Sequence, residues 1–207
     1  MVRDLRIEHF LETLGSGAPV PGGGGASALA GAFGTSLGMM VLNLTIGKRR
    51  YEEIREELEA LLSHLTELRE IFYQLADKDE EVFLPLSKAY GMPKNTPEEA
   101  LVKDAFMQQA LYDATVVPLS MMETAVSALE DLKTVAEKGS RLAISDAGVA
   151  VSFLRTALDG ASYNVKINIR SMKDEQTRAG LQDRMERLLA YGGTLASEIT
   201  EIVGARI

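Results

Sequence analysis

Apolar residues recur at helical spacing along nearly the whole chain, and alternating strand-like stretches are almost absent. The pattern predicts a short first helix from about Leu5 to Leu14, then an uncharged helix over Ala26 to Ile46 closed by Gly47. A very long periodic segment follows from Tyr51 to Tyr90, interrupted only by Pro85 and ended by Gly91 and Pro93. Thr96-Pro97-Glu98-Glu99 reads as a capping box with proline at the first helical position. The helix it opens runs through Leu132, bends at Pro118 and closes at Gly139. Ser145 or Asp146 caps a largely apolar helix reaching about Ser171. A last amphipathic helix covers about Glu175 to Val203, with Gly192-Gly193 as the place where it would break. No linker or internal repeat divides residues 1–207, so the expectation is one all-α domain, a bundle of long up-and-down helices.

Two rows break the hydrophobic pattern. In the long segment, Ile54, Leu58, Leu61, Leu65, Leu68, Phe72 and Leu75 step by four and three, the spacing of a packed seam, and Val82 and Leu86 resume it. The next position after Leu75 is Asp79, whereas Asp77, Glu80 and Glu81 fall off the row. A carboxyl on a buried stripe must be paired, hydrogen-bonded or shifted toward its neutral form. It is either satisfied by an arginine or asparagine of the bundle or available for acid–base chemistry. Farther on, the row Ala150, Leu154, Ala157, Ala161 continues to Asn164 and Asn168. Those amides suit either a helix–helix register device or a polar pocket. His64 beside the seam and His9 in the charged first helix read as packing or surface residues.

The stretch APVPGGGGASALAGAFG, Ala18 to Gly34, has three candidate readings. A phosphate loop needs a preceding strand and a Lys-Ser/Thr, both absent here. The 21 uncharged residues Ala26 to Ile46 are long enough to cross a bilayer, and Ala26, Ala30, Gly34 and Gly38 form a small-residue ridge. Ser27, Thr35, Ser36, Asn43 and Thr45 temper that run, and the other helices need a central partner, which favours a buried core helix. The glycines then make either a tight turn or an open helix start where a ligand approaches backbone amides.

Composition removes several chemistries. The chain has no cysteine and only two histidines, so thiolate and histidine-rich metal sites are excluded. Thirty acidic and 22 basic residues give a formal charge of −8, which disfavours a nucleic-acid surface. The first residues carry acids and no apolar run, so no signal peptide is read and the cytoplasm is the default compartment.

Taken together, APVPGGGGASALAGAFG, MMVLNLTIGKRRY, ADKDEEVF, GMPKNTPEE, VPLSMMETA and YNVKINIR resemble, in order, the cyclodeaminase domain of the formiminotransferase-cyclodeaminase family. That family includes stand-alone bacterial methenyltetrahydrofolate cyclohydrolases. The resemblance spans nearly the whole chain and implies an all-helical homodimer or larger assembly acting on a tetrahydrofolate derivative, without a cofactor, a metal or a membrane partner. The expected activity is ammonia loss from formiminotetrahydrofolate. The alternatives are methenyltetrahydrofolate hydrolysis or an idle folate-binding homodimer. The D-x-D-x-E-x-F pattern falls on Asp77, Asp79, Glu81 and Phe83, with Asp79 in the position of the family's catalytic proton donor and acceptor. Candidate substrate contacts are Pro21, Gly22, Gly23, Gly24, Gly25, Asp77, Asn43, Asn164 and Asn168. Lys48 and Arg49, with Arg50, are assigned to the substrate's glutamate tail. The chain departs from the family pattern in carrying a fourth glycine, Gly25, where serine is common.

Overall fold

The computed structural model describes residues 1–207, apart from the side chain of Arg3. Six α-helices carry the fold: α1 (Ile7–Leu14), α2 (Gly23–Asn43), α3 (Arg55–Gly91), α4 (Pro97–Lys138), α5 (Ile144–Ile169) and α6 (Glu175–Arg206). Short 3-10 turns stand at Val2–Asp4, Arg49–Ile54 and Arg141–Ala143, and no strand occurs among the described residues. The all-helical expectation holds. Thr96 and Glu99 form the reciprocal capping box that starts α4, with Pro97 at the first helical position.

Helix α2 lies at the centre, packed chiefly on α5 and α3. Its glycines explain how. A Cβ on Gly31 would run into the Phe72 ring, and one on Gly38 would lie 3.0 Å from Leu65 and 2.8 Å from Leu132. One on Gly24 would run into the Asp79 carboxyl. Each step of seven along α2 matches a step of seven backwards along α3, so the helices run antiparallel with a row of large side chains seated on a row of glycines. On its α5 side, Gly34 meets Leu154 and the Ala150 carbonyl, Ser27 meets Gly160, and Gly23 stands near Asn164. The small-residue ridge expected through Ala26, Ala30, Gly34 and Gly38 is thus divided. Gly34 and Gly38 face different helices, while Ala26 and Ala30 line an apolar groove beneath α1.

The seam read from the sequence is the packed face of α3: Leu58, Leu65, Leu68 and Phe72 are buried. By length and composition α2 passes for a membrane span, but 61% of its apolar window is buried between its neighbours. It is the core helix of the bundle.

Two local expectations are corrected. The helix after Gly139 begins at Ile144, behind a 3-10 turn, so neither Ser145 nor Asp146 caps it. Helix α6 passes through Gly192-Gly193 without a break because the missing side chains make room for neighbours; a Cβ at Gly192 would meet Leu158 and Val126. Helix α4 runs through Pro118, as expected of a helix reaching past Leu132. Proline there leaves the Ala114 carbonyl without its usual donor. The Asn168 side-chain amide fills the gap, donating to Ala114 O at 2.8 Å.

The glycine rows yield a test. Helix propensity alone would make Gly31→Ala stabilising by about 1 kcal/mol. Contact with the rigid, fully buried Phe72 ring reverses the sign, and a net loss of about 1–3 kcal/mol is expected in denaturant unfolding. A stabilised Gly31→Ala protein would show that α2 and α3 do not meet this closely.

Candidate active site

The two anomalous rows converge on the first turn of α2. On the α3 side the register places Asp79 against Gly24; on the α5 side it places the Asn164 amide 3.9 Å from where a Gly23 side chain would begin. Both polar residues therefore meet the helix start where the core helix ends and solvent begins. Pro21 packs close to Gly25, and the Val20–Pro21 peptide is cis.

Asp79 is half-buried. Burial pushes its carboxyl up to about 6 from an ordinary 3.8; the Gly25 backbone amide, donating to it, opposes the shift, and neighbouring Glu80 adds to it. The positive end of the α2 dipole also favours the charged form. The result is a carboxyl that changes protonation close to neutral pH, held by a backbone amide rather than a salt bridge. That is the condition for taking a proton and returning it. Gly24 is the residue that makes this seat possible, because any side chain there occupies the carboxyl's position.

The other candidate residues divide by location. Gly22 to Gly25 and Pro21 surround the Asp79 seat. Asn164 borders it and donates to Gly160 O within its own helix at 3.2 Å. Asn168 is one turn farther along, but its amide is committed to the Ala114 carbonyl, so it ties α5 to α4. Asp77 points elsewhere: its carboxylate accepts the Val2 N–H at 2.6 Å and anchors the N-terminal turn to α3. Ser27 faces α5, where its hydroxyl donates to Gly23 O at 2.7 Å.

Asn43, Lys48 and Arg49 are not brought to this end of the protomer. They lie at or beyond the far terminus of α2, about 30 Å away at 1.5 Å per residue. Asn43 is exposed, Lys48 donates to Ser140 Oγ at 3.1 Å, and Arg50 stacks over Tyr51 at 4.9 Å. A stretch that is contiguous in sequence spans the full length of the bundle once it is helical.

The histidines stay outside the site as expected. His9 is exposed, and His64 Nδ1 lies 2.7 Å from Asp131 Oδ2, joining α3 to α4 roughly 22 Å along α3 from Asp79. An apolar groove of about 500 Å³ beneath α1, lined by Phe10, Leu29, Phe33, Tyr73 and Phe153 among others, holds no group that exchanges protons near neutrality. Among the described residues, no cluster of three or more acidic or histidine side chains is arranged to hold a metal ion.

The bundle thus seats one carboxyl that titrates near 6 against a glycine helix start. Comparison with known proteins gives this bundle a family. Residues 6–187 match the formiminotransferase-cyclodeaminase model, and the chain belongs to that family. It is 41% identical to a methenyltetrahydrofolate cyclohydrolase of Methylorubrum extorquens, over the full length of both chains. It is 30% identical to the formimidoyltransferase-cyclodeaminase of Rattus norvegicus, covering 98% of this chain but only 38% of that longer protein. The crystal structure of a formiminotetrahydrofolate cyclodeaminase from Thermotoga maritima superposes with a TM-score of 0.89 at 27% identity, covering 99% of this chain and 98% of that one.

Two outcomes test the seat. Gly24→Ala is expected to leave helical content intact while displacing the Asp79 carboxyl, which a crystal structure of the variant would show directly. An unmoved carboxyl beside Ala would refute the contact. Asp79→Asn tests the burial. The folded carboxyl keeps its proton up to about 6, whereas the unfolded one releases it near 3.8, so between these values the folded state binds more protons. Wild-type stability therefore falls as pH rises through that window. Above pH 6 the Asn variant should be more stable by on the order of 1–2 kcal/mol, allowing for partial exposure. The advantage should fade toward pH 4; thermal unfolding at both pH values measures it.

Proposed function

We propose that this protein is a tetrahydrofolate one-carbon enzyme in which Asp79 serves alternately as general base and general acid. The observation that carries the reading is the Asp79 carboxyl seated against Gly24 with a pKa near 6. At neutral pH most of it is ionised and ready to accept a proton, yet it remains a competent acid once protonated. Its negative charge also stabilises a cationic methenyl carbon nearby.

The chemistry has two forms on this scaffold. In hydrolysis, water adds to the methenyl carbon of methenyltetrahydrofolate as Asp79 takes its proton. The same carboxyl returns the proton to the ring nitrogen as the carbon–nitrogen bond breaks and the carbinol hydroxyl gives its proton to solvent, leaving formyltetrahydrofolate. In cyclodeamination, the secondary amine of formiminotetrahydrofolate attacks the carbon of the protonated, cationic formimino group and loses its proton to Asp79. The carboxyl then protonates the departing nitrogen, and ammonia leaves from the methenyl product. Both routes balance with one carboxyl and invoke no cofactor. The sequence resemblance puts cyclodeamination first. The full-length relative at 41% identity carries the hydrolytic name, and it gives hydrolysis the greater weight. The Thermotoga maritima structure is a specific observation in favour of the other.

The Pro21 to Gly25 backbone and Asn164 border the substrate in this reading, and Asp77 contributes by holding the N-terminal turn. A homodimer fits the uncovered face of α2, where Phe33 and Met40 are exposed along with Leu44 just past its end. A cytoplasmic compartment fits the buried core position of α2.

Purified protein incubated separately with methenyltetrahydrofolate and formiminotetrahydrofolate, followed by absorbance and ammonia release, separates the two reactions. Asp79→Asn should lower turnover of whichever substrate is used by about a hundredfold or more. Wild-type turnover should decline as pH falls through about 6. A folded Asp79→Asn protein with near-normal turnover would overturn the acid–base assignment.

A further inference from the structure

Helices α3 and α4 are longer than the helices they pack against. Antiparallel pairing of α3 with α4 is fixed by His64–Asp131 and Lys138–Glu57 contacts, and the end of α5 reaches only to Gln108, which accepts from Lys173 N. Since α2 begins opposite Asp79, α3 residues 81–91 rise about 16 Å beyond the core helix, paired with about residues 104–114 of α4. Lys103 ties the tip by donating to the Tyr90 and Met92 carbonyls.

The row of α3 that faces α2 continues along this arm. Leu65, Phe72 and Asp79 are spaced by seven; adding four and then seven gives Phe83 and Tyr90, which stay within about 40° of Asp79 around the helix axis. Below Asp79 that face is covered by α2. Above it α2 has ended, and Phe83 and Tyr90 are 37% and 59% exposed. Aromatic rings in a row that is otherwise core thus stand over the helix start, one and three turns from the carboxyl. Leu86, seven residues beyond Asp79 and in the same row, is buried, as is Ala89, so the arm is packed along one flank of this row while Phe83 and Tyr90 stand on the other.

We propose that Phe83, extended by Tyr90, is a stacking wall that positions the flat heterocyclic part of the substrate over Asp79. The inference rests on the folate reading above and adds to it the residue that orients the ring. Phe83 touches no reacting atom; it holds the plane of the ring so that the one-carbon centre meets the carboxyl. A ring stacked one turn, about 6 Å, above Asp79 places its edge within reach of both the carboxyl and the α2 amides. A second copy of the chain is the competing occupant of this face.

The test uses the full-length protein and tetrahydrofolate itself as probe, under anaerobic conditions. Binding is followed by calorimetry and by the absorbance change of the bound pterin. Phe83→Leu keeps apolar bulk but removes the π-face, and should weaken binding about tenfold and abolish the absorbance change. Phe83→Tyr should retain both. In turnover, Phe83→Leu should raise KM far more than it lowers kcat, the signature of lost ground-state positioning. Wild-type binding with equal binding and spectrum in a folded Phe83→Leu protein would overturn the stacking wall while leaving the folate reading intact. The same result with a changed oligomeric mass would assign Phe83 to an interface between copies, and likewise overturn it. Failure of the wild type to bind tetrahydrofolate would remove the folate reading and this proposal with it.

Discussion

Close approach of two helix backbones sets the architecture. Helix α2 carries no charge and, on one face, glycine at every seventh position, so α3 lies directly on its backbone with Phe72 and Leu65 inserted where side chains would otherwise stand. Such packing is worth having only if the inserted groups are large and apolar, because the gain comes from dispersion and from apolar surface removed from water. The same geometry at Gly24 inserts a carboxyl instead. One repeat of a stabilising contact has been replaced by an ionisable group, at the end of the row where solvent and a helix start are both available.

That substitution is what gives the position its chemistry. Deep in the row a carboxylate would be too costly to ionise; fully in water it would titrate near 4 and hold a proton too weakly to pass it on. Half-burial and one backbone donor leave Asp79 between those limits. The surrounding contacts serve the same arrangement. Asp77 secures the N-terminal turn, Asn168 replaces the donor lost at Pro118, and Ser27 closes the first turn of α2 while packing on Gly160. Each satisfies a polar group that the bundle would otherwise leave open.

The α3–α4 arm illustrates a second constraint. A bundle whose helices differ in length exposes the inner faces of the longer ones. Here the exposed inner face begins at the carboxyl and carries aromatic rings rather than the charges found on the outer surface of α3.

The sequence by itself determined the helices, the seam on α3 and the anomaly at Asp79, because these depend on spacing along one chain and on local chemistry such as the Thr96–Glu99 cap. It also put Asn164 on an apolar face and exposed the motif strings from which the family was legible. Only tertiary structure decided which end of each helix meets which. Spacing specifies a residue's angle around a helix, but its height in the bundle depends on the register between helices. That is why Asp79, Asn164 and Gly24 come together while Asn43, Lys48 and Arg49 stand at the opposite end. The same limit applies to Asn168, whose partner is a carbonyl freed by a proline 50 residues earlier. Periodicity marked it as out of place, and only the packing of α5 on α4 showed what it satisfies.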